Sequence, residues 1–204
     1  MTELDTHLAE QDTHFARAFA LIAAACERSN PDRAFPGAAL AVTYRGALVA
    51  HKAFGRFTYD SGSPPIAPDT VFDLASVTKV VATTAMAMLL CQRHQLELDA
   101  PLCEALSEFD DPRSGTKNAA RRAVTLNMLL AHSSGLPAYL RLYQKARSRE
   151  EMIRLAATTP LEAPPGTRAA YSDIGFILLG EALERIVHEP LDHFCGARSS
   201  SLSG

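Results

Sequence analysis

The spacing of apolar residues changes period several times along the chain. Phe15, Phe19, Ile22, Ala23 and Cys26 recur three and four residues apart, which predicts an amphipathic first helix ending near Ser29-Asn30-Pro31 and covering a sheet. From Phe35 the period falls to two, with Leu40, Val42 and Tyr44 on alternate positions. A second short run, Ala47 to Gly55, follows Arg45-Gly46. Two such runs joined at a glycine predict an antiparallel hairpin, and because a lone hairpin is marginal in water, further strands are expected beside it. Residues 56–70 are rich in Pro, Ser, Gly and Asp and predict a loop. Val80 to Cys91 is then apolar at almost every position, which predicts a core helix buried on most sides. It contains Thr83 and Thr84 and is too short to cross a bilayer.

The second half alternates helices with turns. Gln92 to Asp99 is polar, Pro101 to Phe109 predicts a short helix, and the charged stretch 110–122 predicts an exposed loop. Val124 to Ala131 predicts a helix capped by Thr125, running into His132-Ser133-Ser134-Gly135-Leu136-Pro137. Glu150 to Thr158 is helical by pattern, with Met152, Ile153 and Leu155 available for packing. The turn-rich segment Pro164 to Asp173 leads into an amphipathic helix, Ile174 to Val187. In Gly196 to Gly204 six of the nine residues are serine or glycine, so the organisation expected is one domain over 1–195 and a disordered tail over 196–204.

Composition narrows the classes. The 204 residues are 47% hydrophobic and 21% charged with a net charge of −3, ordinary for a soluble globular protein and without the basic balance that nucleic acid or an anionic membrane would call for. Cys26, Cys91, Cys103 and Cys195 are scattered and fit reduced thiols rather than a metal site. The start, Met1 to His7, has no basic segment followed by an apolar one, so no secretory signal is read and a cytoplasmic location is expected.

Candidate chemistry lies at the head of the apolar run. Ser76-Val77-Thr78-Lys79 places a hydroxyl and an amine three residues apart, about one helical turn, at the start of a helix. A serine needs a base to become a nucleophile, and a lysine can be that base if burial or nearby charge lowers its pKa. A second copy of the pattern, Ser114 to Lys117, contains Gly115 and lacks an apolar run behind it, so it reads as solvated loop. His132, and His188 with His193, suggest metal or base chemistry, but neither has a set of further ligands at suitable spacing. No metal and no cofactor are expected.

Three segments in matching order carry a resemblance. Ser76-Val77-Thr78-Lys79 with its apolar run, Leu129-Leu130-Ala131-His132-Ser133-Ser134-Gly135-Leu136-Pro137, and Pro165-Gly166 shortly before Tyr171-Ser172-Asp173 resemble the serine β-lactamase-related family of class C β-lactamases, DD-peptidases and esterases. The resemblance spans about residues 10 to 195. It implies an α+β fold of β-lactamase/transpeptidase type, a helical region plus the N-terminal hairpin of an antiparallel sheet. It also implies a serine hydrolase that cleaves a small ester or amide through an acyl-serine intermediate. Ser76 would be the nucleophile, Lys79 would accept or hold its proton, and Tyr171 would shuttle protons to the leaving group and the deacylating water. The family's Tyr-x-Asn motif ends here in Asp173, which can only accept hydrogen bonds when ionised. Asp173 is therefore expected either to hold Lys79 charged at the substrate site or to cap the helix at Ile174. The change favours simple esters over β-lactams.

One part of the family's pattern is missing: its third motif, on a later strand of a longer chain, has no match after Tyr171. That strand supplies one oxyanion-hole donor, and losing such a donor costs about 10² to 10³ in rate. The chain thus reads as a C-terminally truncated member whose hairpin has an open edge, a route to self-association. The alternative function is a catalytically inactive fragment that serves at most as a binding or oligomerising module.

Overall fold

A computed structural model describes residues 3–27, 31–110 and 119–199. Its contacts divide the chain into two units, Met1–Asp73 and Leu74–Gly204.

In the first unit, helix α1 (Glu3–Cys26) covers a two-stranded antiparallel sheet of β1 (Gly37–Tyr44) and β2 (Ala47–Gly55). Arg45 and Gly46 make the connection with φ of 51° and 82°. Two positive φ values match the twist of a hairpin, and glycine takes the second without strain. The register runs from Gly37 opposite Gly55 to Val42 opposite Ala50 and shifts between Val42 and Thr43. The α1 side of the sheet is marked by Phe19, whose ring lies 5.9 Å from that of Phe54, with Lys52 Nζ 5.1 Å from the Phe19 centroid. Ala38 and Leu40, paired with Phe54 and Lys52, share that side. The bulge carries Tyr44 off it, leaving Tyr44 exposed, so the expected alternation ends at Val42. Among the described residues no third strand joins this sheet.

The second unit is built around α7 (Asp173–Val187), which buries Ile174, Phe176, Leu178, Leu179, Ala182 and Leu183. Helices α3 (Leu102–Ala105), α5 (Leu126–Leu130) and α6 (Arg149–Ala157) pack against it, closing a core with Leu102, Leu106, Phe109, Leu126, Leu129, Leu136 and Ala156. Each large side chain removed from water here stabilises the fold by about 1.5–3 kcal/mol. The starts of these helices follow their sequences: the Thr125 side chain accepts from Met128 N–H at 3.2 Å and Ser148 from Glu151 N–H at 3.2 Å.

Three expectations are corrected. The run 80–91 is not a core helix. It forms a π-helical segment, Lys79–Thr84, followed by α2 (Ala85–Gln92). Its Met86, Ala87 and Leu90 are buried, but Val80, Val81 and Met88 are 65%, 54% and 67% exposed. A helix can turn only one stripe to its neighbours, and the opposite stripe meets no cover among the described residues. The whole helical run Ala75–Gln92, 18 residues, is long and apolar enough to cross a membrane by length and composition alone. The buried stripe and the ion pair described below tie it to the rest of this unit.

The second correction concerns 110–122. Residues 111–118, including the second Ser-x-x-Lys copy, lie outside the described residues, but Ala119–Arg122 forms the short helix α4 and buries Arg121 to 2% exposure. Its guanidinium donates to the carbonyls of Phe109 (2.6 Å), Thr159 (2.8 Å) and Ala157 and lies over the Phe109 ring. Burial lowers the Arg121 pKa, but carbonyl dipoles on several sides keep the charge satisfied. Third, α8 (Leu191–Ser199) is helical through Ser199, so the first part of the expected disordered tail is helix; 200–204 lie outside the described residues.

Candidate active site

Ser76 stands on a single 3₁₀ turn, Ala75–Val77, rather than on the α-helix its spacing with Lys79 predicts. Ala75 immediately before it has φ 44°, a left-handed conformation that costs a residue with a side chain about 1–2 kcal/mol. The backbone then passes into the π-helical segment, a helix type that recurs at functional sites. The irregular path still brings the pair together: Lys79 Nζ donates to Ser76 Oγ at 3.1 Å.

Tyr171 and Asp173 reach the same point from the start of α7. Lys79 Nζ lies 2.8 Å from Asp173 Oδ1 and 5.1 Å from the centre of the Tyr171 ring. Of the two roles expected for Asp173, the ion pair is the one observed. The cap is Ser172, whose Oγ accepts from Gly175 N–H at 3.0 Å and donates to the Pro137 carbonyl at 2.7 Å.

The electrostatics bear on the two alternatives expected for Lys79. Burial pulls the Lys79 pKa down, but the Asp173 carboxylate and the Tyr171 phenol outweigh it and hold the pKa above the ordinary lysine value. The raised pKa favours the Lys79 ammonium, whose Nζ donates to Ser76 Oγ. The phenol moves the other way. Hydrogen bonding with Ser76 and then Lys79, with the Lys79 charge adding to it, lowers the Tyr171 pKa against burial and the Asp173 charge. The phenol is thus the group pushed towards its deprotonated form.

What holds Tyr171 is the segment 132–138, most of which the resemblance singles out but whose partners the sequence does not show. His132 has φ 54° and Gly135 φ 81°. The carbonyls of this segment accept from the chain that leads to α7: His132 O from Ala170 N–H and Ser133 O from Gly166 N–H at 2.8 Å each, Gly135 O from Glu162 N–H at 2.8 Å, and Ala138 O from Asp173 N–H at 2.9 Å. Gly135 is required twice over, by its φ and because a Cβ there would lie 2.1 Å from the Ala163 carbonyl oxygen. Sequence reasoning did not find this fastening, whose partners lie some thirty to forty residues away.

Beside Ser76 a cavity of about 430 Å³ is lined by Tyr139, Leu142, Tyr143, Met152, Phe176 and Ile177, with Lys79 and Asp173 at its polar end. The phenols of Tyr139 and Tyr143 are hydrogen-bonded to each other, which raises the Tyr139 pKa. His188 and His193 lie elsewhere: His188 is the left-handed C-cap of α7 and His193 is on α8. Among the described residues no three His, Cys, Asp or Glu side chains converge as a metal site would require.

The sequence model described as Beta-lactamase matches residues 12–200. The chain belongs to the β-lactamase family. It is 32% identical over 171 residues to an N-acetylmuramyl-L-alanine amidase of Bacillus subtilis, covering 78% of this chain and 38% of that protein. It is 31% identical over 175 residues to Esterase EstB of Burkholderia gladioli, covering 78% and 43%. The solved structure of SurE superposes with a TM-score of 0.68 at 26% identity, covering 92% of this chain and 37% of that one. The fold is thus β-lactamase/transpeptidase-like, helices with a two-stranded antiparallel sheet, and the chain spans about two-fifths of the length of the curated relatives it matches.

Proposed function

We propose that this chain carries the nucleophilic half of a serine hydrolase acting on small neutral esters through an acyl-Ser76 intermediate. The observation that carries the reading is the convergence of Ser76 Oγ, Lys79 Nζ at 3.1 Å and a Tyr171 phenol whose pKa is lowered by both. Tyr171, as phenolate, takes the Ser76 proton while Oγ bonds to the substrate carbonyl carbon. The protonated phenol then gives that proton to the departing alkoxide, and the acyl-enzyme forms. Water reverses the sequence, losing its proton to Tyr171 and releasing Ser76 and the free acid. Lys79, kept charged by Asp173, favours phenolate over phenol and orients Oγ.

Esters rather than carboxylate-bearing substrates are supported by charge: among the described residues the one cation lining the cavity is Lys79, and Asp173 already pairs with it. The apolar lining from Leu142, Met152 and Ile177 suits an aliphatic or aromatic acyl group. A second reading has its own observation. Ser76 is exposed and Tyr171 is 52% exposed, as in a site awaiting further chain, and the fragment would then be an inactive module. Intact mass after exposure to a fluorophosphonate separates the two. A single adduct on the 204-residue chain that is absent in Ser76→Ala supports the hydrolase; no adduct on a folded chain sinks it.

A further inference from the structure

The ring of His132 lies against the Tyr171 ring and is bonded to the segment that carries it. Its Nδ1 accepts from the Ser172 backbone N–H at 3.0 Å, while its own carbonyl accepts from Ala170 N–H at 2.8 Å. The two bonds clamp the chain on either side of Tyr171. The ring also lies 4.5 Å from the Tyr171 ring and 4.9 Å from that of Phe176, the next aromatic residue along α7. Because a backbone N–H can only donate, Nδ1 carries no proton and a neutral ring carries it on Nε2. Its surroundings agree. Burial, then the nearby Lys79 charge, lower the His132 pKa, with Asp173 opposing. Lys79, Asp173 and the Tyr171 phenol are the titratable groups about it.

A histidine in a left-handed conformation, bonded at both its backbone and its ring to one three-residue stretch, is placed for more than packing. We propose that His132 is a positioning residue for the Tyr171 phenol, holding residues 170–172 so that the phenol faces Ser76 and Lys79. It touches no reacting atom. The proposal rests on reading Ser76 and Tyr171 as the reacting pair, but its central test does not require turnover.

The variants are His132→Ala, which removes the acceptor, and His132→Asn, whose side-chain oxygen can accept from Ser172 N–H and whose backbone tolerates positive φ. The first readout is the titration midpoint of Tyr171 followed by ¹³Cζ-tyrosine NMR, with Tyr171→Phe assigning one resonance among the five tyrosines. The second is the rate of Ser76 phosphonylation against pH. His132→Ala should move the midpoint up towards the ordinary value of about 10 and slow labelling at neutral pH by about tenfold. His132→Asn should restore most of both. Thermal melts establish that each variant is folded; if the alanine variant is not, the asparagine variant decides, and a wild-type midpoint with wild-type labelling is the expected result. A folded alanine variant with unchanged midpoint and labelling overturns the proposal, as does a folded asparagine variant that has lost both. Absence of labelling in the wild type would overturn the hydrolase reading, while the NMR midpoints would still decide the role of His132.

Discussion

The two sides of the Ser76 site are built differently. On the Tyr171 side, residues 132–138 and 162–175 are joined by a ladder of backbone and capping hydrogen bonds, and Ser134, Leu136, Ser172, Ile174 and Gly175 are buried. On the Ser76 side the chain is a left-handed Ala75, a 3₁₀ turn and a π-helical segment, with Leu74, Val77, Val80 and Val81 exposed at 55%, 53%, 65% and 54%. One side is fixed by bonds made within this chain. The other presents apolar surface and strained backbone. On the proposed mechanism the Tyr171 base and its positioning are complete locally, whereas the Ser76 side chain meets Lys79 and Tyr171 from a loosely covered turn.

The comparison can be broken most severely under the bonded side. Arg121 fastens the end of α6 to Phe109, and replacing it by Met leaves the buried carbonyls of Phe109, Ala157 and Thr159 without their donor. We expect a loss of about 3–5 kcal/mol by urea denaturation. A variant as stable as wild type would mean that these carbonyls find water. Next is Gly135→Ala, where left-handed backbone and the close Ala163 carbonyl combine. A loss of about 1–3 kcal/mol is expected, with slower Ser76 labelling because the fastening to the Tyr171 segment loosens. Destabilisation without slower labelling would separate the fastening from the site.

Asp173→Asn sharpens the comparison at the junction of the two sides. The carboxylate raises the Lys79 pKa and, as a like charge, also raises that of the phenolate at Tyr171. Removing it should lower both. Labelling that depends on phenolate increases as pH rises through the phenol pKa, so its profile should shift to lower pH. A shift to higher pH would show that the ion pair lowers the phenol pKa through Lys79 more than the carboxylate raises it directly.

The same contrast explains what the sequence could reveal. Ser76 and Lys79 were legible because side chains three apart meet in almost any helical geometry, so the change from α-helix to 3₁₀ and π segments left the pair intact. The hairpin was legible from its period and from Arg45-Gly46, but not the bulge that exposes Tyr44. Ser172 and Asp173 are both good caps at adjacent positions, and only the carbonyl of Pro137 favours the serine. Arg121 looked solvated because charge density was all that its neighbourhood offered; its acceptors lie at Phe109, Ala157 and Thr159. The burial of α7 rather than of the 80–91 run was not legible from apolarity, since both segments are apolar and tertiary contact chose between them. His132 had a local signal that could have been used, a residue tolerant of positive φ just before Ser133-Ser134-Gly135, but its partners at Ala170 and Ser172 needed the fold.

The smallest expected effect lies on the exposed side. Val80→Ser and Val81→Ser remove apolar surface that already faces water, so each should change stability by about 0.5 kcal/mol or less. The contrast with Arg121→Met is the point: a charged residue on a short helix should matter far more to folding than valines in the most apolar stretch of the chain. Denaturation at two protein concentrations tests it. Equal, small effects at both would show that the valine stripe is solvated in the isolated chain and does not hold the Ser76 segment in place. A loss of about 2 kcal/mol or more, growing with concentration, would mean that the valines are buried between copies, and the two sides of the site would then be less unlike in solution than in the single chain.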